Sequence, residues 1–371
     1  MRAVKTVIVK LGSSTVADRR GRLRRGLIAA RSAEIAALVG EGQRVVVVSS
    51  GAIACGQSVL GMKERPQQIA ALQAASAVGQ GKLFDAYAQC LRRCGLTAAQ
   101  ILLTSADFAQ RLSYVNARAT LRRLLGWGVV PIVNENDTTA TDEIRFGDND
   151  VLAAQVAIML RADMLLLLTD RDGLFSSDPE RDPAARLIAR VQAADDLRGL
   201  DVRERSRRGA GGMRGKVAAA LMAAAADVRT VIGNGGRDGV ITTAAHGVAV
   251  GTMVSPRPAH ASAFKLWLRY AKPVRGTLEI DAGAARALAS GGGSLLPVGV
   301  VAVHGAFVAG DAVAIVTVGG REVARGLTTI GARELRRIAG MRTGAARELV
   351  SHADEEVVHR DALVLIDEEA L

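Results

Sequence analysis

The sequence has 371 residues, about two to three times the length of a common single domain, so two domains are expected. Hydrophobic residues make up 49% and charged residues 23%, a globular and not a disordered composition, while aromatics at 3% are too few for base-stacking platforms. The formal charge of +11 is uneven: residues 1–275 hold 39 basic and 24 acidic side chains and residues 276–371 hold 9 and 13, so the first part suits an anionic ligand and the last quarter does not suit nucleic acid.

In chain order, Val/Ile/Leu-rich strand candidates stand at Val4–Val9, Arg44–Val48, Ile101–Thr104, Val129–Val133, Leu165–Leu168 and Val228–Ile232. Helix candidates lie between them, near 25–40, 66–93, 111–126, 150–161 and 213–226. The strands read as apolar on both faces, as buried parallel strands do, and the alternation predicts a doubly wound, mostly parallel α/β sheet. It extends to about residue 260, giving a first domain over 1–260. Two prolines in Ser255–His260 mark a linker-like stretch, and 261–275 reads as a short helix with Trp267.

From Gly276 the pattern changes to short β segments, Thr277–Ile280, Gly299–Val303, Ala312–Val318 and Ala362–Ile366, with a helix near Ala332–Ile338. This predicts a smaller, mostly β domain over 276–354, followed by an acidic segment over 355–371. Apolar runs such as Val217–Ala226 are far short of the ~20 residues that cross a bilayer. Cys55, Cys90 and Cys94 match neither a disulfide framework nor a zinc spacing, and Cys90 and Cys94 read as small buried helix residues. A cytoplasmic protein without membrane contact is expected.

In an open parallel sheet, ligands bind beyond the carboxyl ends of the strands. There the first strand ends in Lys10, Gly12, Ser13 and Ser14, and the second in Ser49, Ser50 and Gly51. The fourth is followed by Asn134-Glu135-Asn136-Asp137-Thr138-Thr139 and the fifth by Thr169, Asp170, Asp172 and Gly173. Any one of these is ordinary turn chemistry; four along one sheet edge point to a site. Lys10 beside small residues offers a cation and backbone N–H groups to phosphate oxygens, against the simpler reading of a lysine snorkelling to solvent.

Arg203–Lys216 carries six basic residues and the glycines Gly209, Gly211, Gly212 and Gly215 ahead of an apolar helix. It is not a P-loop, which needs glycine where Ala210 stands and Ser or Thr where Val217 stands. A flexible basic loop is the plain alternative; beside the strand-end residues, a glycine-rich loop delivering Lys216 to a polyphosphate is the better reading. Asp148, Asn149 and Asp150 open the next helix as more than the single cap residue it needs. They close a polar stretch, 134–150, longer than most connections in α/β units and suited to holding a substrate.

These segments, in this order, resemble the amino acid kinase family: VIVKLGSS (Val7–Ser14), VSSGAIACG (Val48–Gly56), VPIVNENDTTATDEI (Val130–Ile144), FGDNDVLAAQVA (Phe146–Ala157), LLLLTDRDGL (Leu165–Leu174) and GAGGMRGK (Gly209–Lys216). The last quarter, with GTLEIDAGAARAL, GGSLLPVGV and LRRIAG, resembles a PUA domain. The resemblance implies an αβα sandwich and ATP-dependent phosphoryl transfer with Mg²⁺. The asparagine-rich stretch followed by GDND is similar to that of members whose acceptor is the γ-carboxylate of L-glutamate, giving L-glutamyl 5-phosphate and ADP. Carried over residue by residue, it implies that Lys10 and Lys216 contact the ATP phosphates and that Asp150 orients them. Ser50, Asp137 and Asn149 would bind glutamate, and Thr169, Asp170 and Ala210, Gly211, Gly212, Met213, Arg214, Gly215 and Lys216 would line the nucleotide site. The family usually has a hydroxyl residue where Ala210 and Gly215 stand, so backbone N–H groups would have to replace two contacts. The resemblance further raises a homo-oligomer and feedback inhibition by L-proline. Two other readings stay open: a different carboxylate acceptor on the same scaffold, and an RNA-binding protein built on the PUA-like segment.

Overall fold

Runs of β-branched residues favour extended backbone, and runs apolar on both faces need cover on both. The computed structural model describes residues 6–139, 149–192, 212–256, 262–270, 272–290, 293–350 and 356–366, which fall into two compact units, Met1–Ala263 and Phe264–Leu371.

In the first unit, strands β1 (Thr6–Leu11), β2 (Arg44–Ser49), β3 (Ala98–Leu103), β4 (Val130–Glu135), β5 (Met164–Thr169), β6 (Arg190–Val191), β7 (Arg229–Asn234) and β8 (Thr252–Val254) form one sheet in the order β3-β4-β2-β1-β5-β7-β8-β6. The six expected strands pair in parallel. The short β8 runs antiparallel to β7, and β6 parallel to β8. The chain leaves β1 toward β2 on one side and leaves β5 toward β7 on the other. The β1–β5 boundary is therefore the crevice at which such sheets bind ligands.

Helices Arg25–Gly40, Ala52–Val59, Ile69–Arg93, Arg111–Gly126, Asn149–Leu160 and Met213–Ala224 connect the strands. The core sets Val7, Val9 and Leu11 of β1 and Leu166 and Leu168 of β5 against Ile28, Ile35, Leu83, Tyr87 and Leu91 of the helices. Not every strand is buried on both faces as expected. β3 is the sheet edge, and Gln100 and Leu102 on it are exposed. Thr104 lies outside it, closing a capping box with Asp107 at the helix Ser105–Ala109. Cys55 and Cys90 are buried, but Cys94 ends its helix and is exposed.

In the second unit, β9 (Val274–Ile280), β10 (Val300–Gly305), β11 (Ala312–Thr317), β12 (Glu322–Thr328) and β13 (Val358–Leu365) form a sheet ordered β10-β9-β11-β12-β13. It is antiparallel except between β11 and β9. Leu278, Ile280, Val313, Ile315, Leu335 and Ile338 share its core. The helix Ala332–Ile338 stands where expected. β12 and the helices Ala282–Ala289 and Thr343–Leu349 add to the expected pattern.

Candidate active site

Lys10 is the fifth residue of β1, beside Leu167 of β5. Its ammonium lies 2.6 Å from Asp150 Oδ1, and Lys216 Nζ lies 2.9 Å from Asp150 Oδ2. Asp150 is fully buried, and Lys10 and Lys216 are only 4% and 6% exposed. A buried carboxylate is tolerated only with cationic or hydrogen-bonding partners, and here two lysines distant in the chain share one. Asp150 opens the helix Asn149–Leu160, where a negative charge is favoured. Lys216 sits in the first turn of Met213–Ala224, which Gly212 caps. A side chain at Gly12 would stand 3.6 Å from Lys10 Nζ and 3.7 Å from the Leu168 carbonyl. The lysine head therefore lies over the β1–β5 boundary.

Next to this triad, Asn149 Nδ2 donates to the Ser49 carbonyl (2.9 Å) and to Asn134 Oδ1 (2.6 Å). Asn134 Nδ2 donates to Gln80 Oε1 at 2.5 Å. Asp137 accepts from Ser76 Oγ at 2.5 Å. Burial pushes the Asp137 carboxyl above the usual carboxylate range, opposed by the Ser76 hydrogen bond and by the charge of Arg65. The Ser50 amide donates to the Leu11 carbonyl at 3.0 Å, tying the end of β2 to β1. Gly51 follows with φ of 111°, and a Cβ there would lie 2.8 Å from Val16, so both backbone and space call for glycine. Behind the loop the Ser49 hydroxyl meets Tyr87 OH at 3.0 Å, and burial pushes the Tyr87 phenol up.

On the other side of β1, Thr169 is buried at the end of β5, and its hydroxyl donates to Asp170 at 3.1 Å. Its carbonyl accepts from Gly235 at 2.7 Å. The loop after β7 is held from beneath by Arg31, which is 1% exposed. Arg31 donates to the carbonyls of Gly235 and Arg237 and pairs with Asp238 and Glu34, both at 3.0 Å. Glu34 in turn accepts from the Gly239 and Ile241 amides at 3.2 and 2.7 Å.

The structure thus brings together Lys10, Asp150 and Lys216, sets Asn149 beside Asp150, and places Ser50 and Thr169 at the ends of β2 and β5, which flank β1. Gly212, Met213, Arg214 and Gly215 occupy the cap and first turn that carry Lys216. Ala210, Gly211, Asp148 and the rest of 140–148 lie outside the described residues. Sequence reasoning missed Ser76, Gln80, Tyr87 and Arg31. All four are polar residues on the inner faces of helices, and the only available signal was their position on otherwise apolar faces. Among the described residues no group of three His, Cys, Asp or Glu side chains is arranged to hold a metal, and no helix is long and apolar enough to cross a membrane.

The model of the amino acid kinase family matches residues 5–234, and that of the PUA domain matches residues 276–350. Proteins named glutamate 5-kinase from Burkholderia multivorans and Burkholderia thailandensis are each 47% identical over 364 residues, covering 98% of this chain and 98% of theirs. One from Burkholderia ambifaria is 46% identical over the same span. Among solved structures, an isopentenyl phosphate kinase superposes with a TM-score of 0.48 at 18% identity, covering 67% of this chain and all of its own. On the family match and on this identity over nearly its full length, the chain belongs to the amino acid kinase family, among its glutamate 5-kinases with a C-terminal PUA domain.

Proposed function

We propose that this chain transfers the terminal phosphoryl group of ATP to the γ-carboxylate of L-glutamate, giving L-glutamyl 5-phosphate and ADP, the first step of proline biosynthesis. The observation that carries the reading is the pair of lysines from β1 and from the helix after residue 212, joined on one buried carboxylate at the β1–β5 crevice.

The nucleophile is a carboxylate with a reference pKa near ~4.3, already ionised at neutral pH, so no general base is needed. The obstacle is repulsion between that anion and a triphosphate. Catalysis of such a transfer is therefore positioning and positive charge at the transferring group. Lys10 and Lys216 supply that charge in this reading. Asp150 holds both ammonium groups in place before substrate arrives, so little reorganisation is left for the reaction itself. Thr169, Asp170 and the backbone of Gly212–Lys216 line the nucleotide site. Ser50, Asp137 and Asn149 form the acceptor site.

Asp150 is committed to the two lysines, and no acidic cluster is free for a metal cage among the described residues. A Mg²⁺ ion brought in with the nucleotide would act beside Lys10 and Lys216 at the phosphates. Bound there, Mg²⁺ would neutralise phosphate charge.

The test is ATP-dependent formation of an acyl phosphate, trapped as the hydroxamate by hydroxylamine, with L-glutamate, L-aspartate and N-acetyl-L-glutamate compared. Preference for L-glutamate supports the reading. Preference for another acid moves the chain to a different acceptor, and no trapped product with any of the three overturns it.

A further inference from the structure

The helix Ile69–Arg93 carries Ser76 and Gln80 four residues apart, hence on one face, and turns both toward the polar residues at and after the end of β4. Asn149 fixes the direction of the bonds that follow. Its Nδ2 donates to the Ser49 backbone carbonyl at 2.9 Å, and a carbonyl only accepts. The nitrogen of Asn149 must therefore face Ser49, which settles an amide orientation that is otherwise ambiguous. Its second hydrogen goes to Asn134 Oδ1 at 2.6 Å. Asn134 then presents its nitrogen to Gln80, whose Oε1 accepts at 2.5 Å. The three amides form a relay with one polarity, and the side-chain atom of Asn149 left for a ligand is Oδ1, an acceptor.

We propose that Gln80 is a positioning residue that acts through Asn134 to hold the Asn149 carbonyl oxygen toward the acceptor substrate, so that the site selects a ligand bearing an α-ammonium group. The inference rests on the reading above that L-glutamate is the acceptor and that Asn149 contacts it. An ammonium brings three donors and no acceptor, whereas a carboxylate brings acceptors alone and is repelled by Oδ1. Turning Asn149 over would favour a carboxylate, but it would set Oδ1 against the Ser49 carbonyl and break the relay. Asp137, held by Ser76 on the same helix face, offers a second acceptor.

The test compares wild type with Gln80→Met, which keeps side-chain length and removes the acceptor, and Gln80→Glu, which retains an acceptor. KM for L-glutamate and for ATP, kcat, the melting temperature and the inhibition constant of glutarate, which lacks the ammonium, are measured for each. Gln80→Met is expected to raise the glutamate KM about tenfold, with the ATP KM and the glutarate constant within about twofold of wild type. Gln80→Glu is expected to restore most of the lost affinity. The proposal is overturned if Gln80→Met leaves the glutamate KM unchanged, if glutamate and glutarate weaken equally, or if Gln80→Glu is as impaired as Gln80→Met.

Should Gln80→Met fail to fold, Gln80→Ala serves instead, because it too leaves Asn134 Nδ2 without its acceptor. It is expected to raise the glutamate KM with the ATP KM and the glutarate constant within about twofold of wild type, and an unchanged glutamate KM overturns the proposal. A wild-type protein inactive on L-glutamate sinks the acceptor assignment and this inference with it. An active wild type with the wrong variant pattern sinks the inference alone.

Discussion

Asp150 has no exposed surface and both its oxygens are taken by lysines, so its removal and theirs are not equivalent. Lys216→Ala leaves Asp150 still paired with Lys10. Asp150→Asn leaves two buried ammonium groups facing an amide that cannot neutralise either, which costs on the order of 3 kcal/mol of stability. Both changes are expected to lower kcat by about two orders of magnitude or more, since each disturbs charge placed for the transferring phosphoryl group. Only Asp150→Asn should also lower the melting temperature strongly. Near-normal turnover of Lys216→Ala would remove the clamp from the mechanism. A second residue-scale prediction concerns Asp137, whose pKa is raised by burial and lowered by Ser76. A carboxylate that must be charged to hold an ammonium works above its pKa, so glutamate kcat/KM should rise with pH through that value. Ser76→Ala removes a hydrogen bond that favours the charged form, so the pKa climbs further and the acid limb of the profile moves to higher pH. An unshifted limb would mean that Asp137 does not titrate in glutamate binding.

Among the elements, the helix Ile69–Arg93 matters most to the acceptor side because it carries both Ser76 and Gln80. Its position is set by backbone contact with the helix Ala52–Val59. A Cβ on Gly79 would lie 1.9 Å from the Ala52 carbonyl oxygen, and one on Gly56 would lie 1.7 Å from that of Ala75. Gly79→Ala must therefore push the helices apart, at a cost of about 1–3 kcal/mol or more, and carry Ser76 and Gln80 away from Asp137 and Asn134. A raised glutamate KM should accompany the lost stability. Gly81 lies in the same helix with nothing near its missing side chain, so Gly81→Ala should stabilise by about 0.5–1 kcal/mol. Thermal unfolding of the two variants checks both signs; equal effects would refute the close-contact account. This crossing also shows what a sequence conceals. The long apolar strands are legible because their composition alone demands burial on both faces, and Lys10 stands out as a charge at the end of such a run. The strands β6 and β8, two and three residues long, have no periodicity to read. In β12 the half-buried Glu322 and Arg325 flank the adjacent buried Val323 and Ala324, so the strand has no clean alternation to read. Ser76 and Gln80 sit in an alanine-rich helix whose inward face is defined only by the neighbour it meets. That Lys10 and Lys216 share Asp150 follows from sheet order, which brings β1 beside β5 and is invisible in any local spacing.

For the whole molecule, the chain divides into two compact units. The residues assigned to the nucleotide and acceptor sites all fall within Met1–Ala263, which has a core of its own running from Val7 to Ala245 among the described residues. The second unit packs Leu278, Ile280, Val313, Ile315 and Leu335 into a core of its own, with a smaller one around Leu268 and Ala312. A unit with its own core can fold alone. A chain ending at residue 263 is therefore expected to remain folded and to phosphorylate L-glutamate with kcat within about tenfold of the full-length protein. Calorimetry of the full chain should show a transition that the truncated chain lacks. The second unit, Phe264–Leu371, holds 13 basic and 13 acidic side chains, so its removal leaves the net charge unchanged, and ATP binding should stay level at low salt. If the truncated chain folds cooperatively but loses turnover by several orders of magnitude, the last quarter contributes to the active state of the first unit, and the separation of chemistry from the PUA domain is wrong.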